Sequence, residues 1–184
     1  MNPATPTTVF KPAGLRETTV LLAIAWLVPF ALHLAPWTGT RPLGAYLVPM
    51  FWTAFVAVYF YGMGTGLLVG LFAPVVNLLV TGLPAGKYLI PMGIELAVFS
   101  LVTAWAMRRM WRLVLIAPLG YVVAGAVSIA LRVVWPALGS VGAAGPVAQF
   151  GRSLVGGLAG LVVLASINAA LVWFYPKAKT DDVQ

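Results

Sequence analysis

The chain has no cysteine, one histidine and four acidic residues among its 184 positions. Without cysteine there is no disulfide, no thiolate chemistry and no cysteine-ligated metal. His33 alone cannot build a histidine metal cluster. The acids are Glu17, Glu95, Asp181 and Asp182, so Glu95 is the lone acid of the long apolar interior. No pair of carboxylates and no Ser-His-Asp set can be assembled from this inventory, so an enzyme is not expected. Charge of either sign is scarce, at 8% of residues against 61% hydrophobic. A soluble domain clothes its surface with about a quarter of its residues charged. This chain does not, and its solvent is expected to be largely lipid.

What the sequence does have is long apolar runs. A membrane-spanning helix needs roughly 17 to 25 mostly apolar residues. Six runs fit: about Thr18–Ala35, Leu43–Phe60, Gly64–Val80, Tyr88–Met107, Leu113–Val134 and Val147–Phe174. The expectation is an all-α integral membrane protein, a single domain over 1–184 built as a bundle of six transmembrane helices. Residues 1–17 read as a polar cytoplasmic leader rather than a signal peptide, since they lack a short apolar core with a small-residue cleavage site. Residues 176–184 read as a polar tail.

The basic residues set an orientation. Net charge is +7, but the cations stand in ones, twos and threes at the ends of apolar runs. A nucleic-acid surface would gather them into a stripe that tracks phosphates, so no nucleic-acid partner is expected. With the N-terminus inside, Lys11, Arg16, Arg108, Arg109, Arg112, Lys177 and Lys179 lie on the inner side. Arg41, Lys87, Arg132 and Arg152 lie on the outer side. The bias places both termini in the cytoplasm of a multi-pass protein. Gly62, Gly66 and Gly70, and again Gly156 and Gly160, are spaced by four and read as faces for close helix packing.

In that orientation polar groups converge at one depth near the outer side. His33 ends the first run, Asn77 lies in the outer half of the third, and Glu95 lies about two turns into the fourth. Arg132 ends the fifth, and Gln149 with Arg152 starts the last. A carboxylate at bilayer depth costs of order 2.5–3.5 kcal/mol, so Glu95 should face the bundle interior and have a partner, Arg132 or Arg152. Two readings stay open: a structural ion pair, or an outward-facing pocket for a polar solute. A carboxylate solute would use Arg132 and Arg152, and a basic heterocycle Glu95 with Asn77. Gly82–Tyr88, GLPAGKY, has neither the glycine spacing nor the hydroxyl residue of a phosphate loop. Any ATP hydrolysis would therefore belong to another subunit.

The order of motifs from His33 to Arg109 resembles the substrate-binding S component of energy-coupling factor (ECF) uptake transporters. The motifs are His33, Pro49-Met50, Gly62 to Gly70, Pro74 with Asn77, Thr81-Gly82-Leu83-Pro84, and Pro91 with Glu95-Leu96. Phe51 stands where one branch of that family often has a second histidine, which argues against a two-histidine ligand set. The Ala-x-x-x-Ala face that such proteins carry on the inner half of their first helix is reduced here to Thr19 and Ala23. The resemblance implies a protein of a prokaryotic cell membrane that captures a water-soluble vitamin-like solute from outside. The substrate-binding residues would come from His33, Asn77, Glu95, Arg132, Gln149 and Arg152, covered by a lid loop carrying Trp37 and Arg41. The implied partners are one transmembrane scaffold subunit and two ATPase subunits. No cofactor and no metal is implied. Two alternatives stand beside it: a small membrane accessory protein or enzyme acting on a lipid-like substrate, and a stand-alone carrier.

Overall fold

Lipid offers no hydrogen bonds to the backbone, so a chain this apolar must satisfy its peptide groups internally. The computed structural model does so with helices, and among the described residues there is no strand. It describes residues 14–34, 46–82, 86–110, 114–138, 141 and 143–176. The helices are α1 (Leu15–Leu34), α2 (Pro49–Tyr61), α3 (Met63–Thr81), α4 (Leu89–Met110), α5 (Ile116–Val134), α6 (Pro146–Gly156) and α7 (Leu158–Phe174). Short 3₁₀ turns at Gly86–Tyr88 and Pro136–Leu138 flank α4 and α5.

By length and composition α1, α4 and α5 can each cross a membrane. A fourth span results if α6 and α7 count as one bent unit. The apolar stretches of α2 and α3 are shorter. With 13 residues, α2 is about 20 Å long, against a hydrocarbon core of about 30 Å. The expected run from Leu43 is cut at Pro49 for a local reason. Proline suits the first turn of a helix but pushes the residue before it out of the right-handed helical region. Val48 adopts φ 45° and ψ 50° instead. The expected single helix from Val147 to Phe174 is also not continuous. It breaks at Gly156-Gly157 with a bend of 60°, where two consecutive glycines weaken the helix.

Helices α3 and α4 run antiparallel, and their contacts fix which residues share a level. Ser100 on α4 hydrogen-bonds the Gly66 carbonyl of α3 at 3.1 Å. A Cβ on Gly70 would lie 3.1 Å from the Leu96 carbonyl oxygen. These two glycines therefore bring α3 against α4, as their spacing predicts, and Gly66 also abuts Val58 of α2. Gly62 departs from the expected face. It lies outside both helices, at φ 86°, and turns the chain from α2 into α3. On the other flank Gly160 of α7 sits against the backbone of Tyr46 and Leu47, where a Cβ would be 2.9 Å from both carbonyl oxygens.

The core between α2, α4, α5 and α7 is aromatic. Phe51, Phe55, Tyr59, Phe99 and Tyr121 are buried along its length with Leu96 and Leu164. Phe51 meets Phe99 and Tyr121 edge to face, with ring centroids 5.1 and 4.9 Å apart. At the far end Tyr59 donates its hydroxyl hydrogen toward the Tyr175 carbonyl at 2.7 Å and the Leu171 carbonyl at 3.1 Å, holding the end of α7. The start of α5 lies at the same end. Its N-cap, Leu115, has no side-chain oxygen, and the Ala117 amide instead donates to Asn168 Oδ1 of α7 at 2.9 Å.

Candidate functional site

At the opposite end of the bundle stand the only acid and the only cation that pair among the described residues. Glu95 sits in the second turn of α4, and Arg132 is two residues short of the end of α5. Arg132 Nη2 lies 3.4 Å from Glu95 Oε1, with 14% and 25% of the two side chains exposed. The antiparallel packing of α4 on α5 makes this meeting possible, because it brings the start of one helix to the end of the other.

Arg132 is braced from its own helix. Its Nε donates to the Ser128 carbonyl at 3.3 Å and its Nη2 to Ser128 Oγ at 3.3 Å. Ser128 thus braces the guanidinium through both its backbone carbonyl and its side chain. Below them on the same helix Tyr121 directs its hydroxyl to the Ser153–Gly157 turn at the break between α6 and α7. Tyr121 Oη fits against Gly157, where a Cβ would be 2.7 Å from it. The break between α6 and α7 thus accommodates the tyrosine, and the tyrosine links α6 to the floor beneath the ion pair. That floor is closed by Phe51, Phe99 and Tyr121, which are buried to within 9% exposure.

The remaining expected site residues divide. Asn77 is buried at 2% exposure on α3, at helical spacing from Gly66, Gly70 and Pro74. Gln149 is half-buried on α6, while Arg152 is exposed on that helix and forms no ion pair among the described residues. Of the two candidate partners for Glu95 the structure therefore selects Arg132. His33 lies in the last turn of α1, and its side chain is outside the described residues. So are the proposed lid residues Trp37 and Arg41, and Leu83-Pro84 of the Thr-Gly-Leu-Pro turn.

Ser128, Tyr121 and Ser153 were not singled out from the sequence. A signal for two of them exists, since Tyr121, Ser128 and Arg132 follow helical spacing on α5 with Ala124 between. Trp52 is a further case. Its indole nitrogen, in the first turns of α2, is buried and has no hydrogen-bond partner among the described residues. Among the described residues no three His, Asp or Glu side chains are placed to hold a metal ion.

A separate apolar groove of about 430 Å³ runs between α5 and α6. Ala126, Ile129, Ala130 and Val133 form one wall, and Pro146, Val147 and Phe150 the other. Comparison with protein-family models, with curated proteins and with solved structures finds no match to this chain.

Proposed function

We propose that this protein is the solute-binding subunit of an ATP-driven uptake system of the ECF type. It would capture a small water-soluble, vitamin-like molecule at the Glu95–Arg132 end of the bundle. The observation that carries the reading is the placement of that pair. A partly exposed acid and base stand at the end of an apolar bundle, above a core filled by aromatic rings. The filled core beneath it favours binding over free passage, and so favours a subunit that needs partners over a stand-alone carrier.

The rest of the reading follows the sequence. The bundle spans the membrane six times, with α2 and α3 as its short spans and α6–α7 as one bent span. Both termini lie in the cytoplasm of a prokaryote, and the segment bearing Trp37 and Arg41 covers the site. A scaffold subunit and two ATPases supply the energy. The test begins with mass spectrometry of small molecules carried through purification in detergent. A polar solute should be retained by the natural protein and lost in Glu95→Gln. Equal retention in both proteins would remove Glu95 from the site. Co-purification of an ATPase pair with the tagged chain from native membranes would support the partnership.

A second reading is favoured by the α5–α6 groove, whose lining is apolar. In that case the retained molecule would be a lipid, and Phe150→Ala would change its occupancy while Glu95→Gln would not.

A further inference from the structure

The polar end of the bundle carries information about what it can hold. Arg132 uses Nε and Nη2 on Ser128 and Glu95, and these are its bonds among the described residues. Its Nη1 edge is left to donate. Glu95 meets Arg132 through Oε1, which leaves Oε2 with capacity to accept. The ion contact itself is long. Charge-assisted N–H···O bonds close to about 2.7–2.9 Å, and this one stands at 3.4 Å. The pair is thus a neutral, partly open clamp that keeps donor capacity at Nη1 and acceptor capacity at Oε2.

We infer that the Glu95–Arg132 clamp selects an uncharged solute that presents a carbonyl beside an N–H, the edge of a cyclic amide, imide or urea. This rests on the solute-binding reading above and names the chemistry of that same site. Such an edge bridges Nη1 and Oε2 without parting the pair. An anion can satisfy Arg132 only by facing Glu95, and a cation can satisfy Glu95 only by facing Arg132. Each leaves one protein charge poorly matched in a setting of low dielectric. A zwitterion must pull the two side chains apart to insert both of its charges. The floor adds a limit on depth. Phe51, Phe99 and Tyr121 are buried and packed on one another, so the solute meets the clamp edge-on at the mouth and does not sink beneath it.

The test uses the full chain in lipid nanodiscs and four fragment probes of similar size. Uracil carries the neutral edge, nicotinate is the anion, benzylammonium the cation and proline the zwitterion. Binding is read by ligand-observed saturation-transfer NMR. The natural protein should prefer uracil by at least about tenfold over each charged probe. Arg132→Gln should move the preference to benzylammonium, and Glu95→Gln should move it to nicotinate. Preference of the natural protein for any charged or zwitterionic probe overturns this inference and leaves the uptake reading standing. Preferences that stay unchanged in folded single variants overturn it as well. Saturable binding of none of the four overturns both. The comparison on the natural protein needs no substitution, so it decides the matter even where a variant does not fold.

Discussion

Glu95 and Arg132 depend on each other, and the dependence has a direction that can be measured. Removing Arg132 leaves a carboxylate at the end of an apolar bundle without its cation. Arg132→Leu is therefore expected to destabilise the protein by roughly 3 kcal/mol. The double change Glu95→Gln with Arg132→Gln should cost less than Arg132→Leu alone, because no charge is stranded. Unfolding followed by circular dichroism in detergent measures the three proteins together; a double variant that loses as much as Arg132→Leu, or more, would show that the pair is not coupled. Asn168 offers a second check at this scale. It supplies an acceptor that Leu115 lacks, so Asn168→Leu orphans the Ala117 amide at the start of α5. A loss of about 1–3 kcal/mol is expected, with faster hydrogen exchange of the Ala117 amide. In the sequence Asn168 is only a polar residue within the last apolar run. Its task, accepting from an amide 51 residues earlier in the first turn of α5, needs the antiparallel placement of α5 and α7.

Among the elements, α7 is tied at both ends, and the two ties are of different kinds. At the Glu95 end the tie is steric. Gly160 admits the Tyr46–Leu47 backbone so closely that a methyl group would reach two carbonyl oxygens. Gly160→Ala should lower stability by about 1–3 kcal/mol, and it should weaken solute binding too, since the displaced backbone leads into α2. Gly64→Ala is the control, because a Cβ there meets nothing within 4 Å. Thermal unfolding of the two variants separates packing from helix propensity. At the other end the tie is polar, through the Tyr59 hydroxyl on the Leu171 and Tyr175 carbonyls. Tyr59→Phe keeps the ring in the core and removes only that bond. About 1 kcal/mol should be lost, with faster amide exchange at the last turn of α7. The small-residue spacings flagged Gly66, Gly70 and Gly160 correctly as close approaches. They misplaced Gly62, because a spacing of four does not reveal that the chain reverses there.

The whole molecule presents a question of thickness and side. Three helices are long and apolar enough to span, with a fourth if the bent pair is one unit. The six-span arrangement with internal termini makes a direct prediction. Because the chain has no cysteine, single cysteines report accessibility without background. In intact cells a cysteine at Pro42 or Gly145 should react with a membrane-impermeant maleimide. One at Met110 or Gln184 should react only after the membrane is opened. Labelling of Met110 from outside would invert or break the proposed topology.

The sequence by itself determined that this is a helical protein of an apolar environment. Scarce charge and repeated apolar runs leave the backbone no other way to satisfy its peptide groups in lipid. It also indicated that Glu95 must find a cation, since the cost of an isolated carboxylate there is set by the solvent and not by the fold. It could not say which cation. Arg132 and Arg152 are equivalent in one dimension, and only the packing of α4 on α5, with α6 bent away at Gly157, distinguishes them. The break in the last span was likewise undecided, because a Gly-Gly pair permits a bend without requiring one. What turns permission into a 60° bend is tertiary: Tyr121 occupies the space that a side chain at position 157 would need.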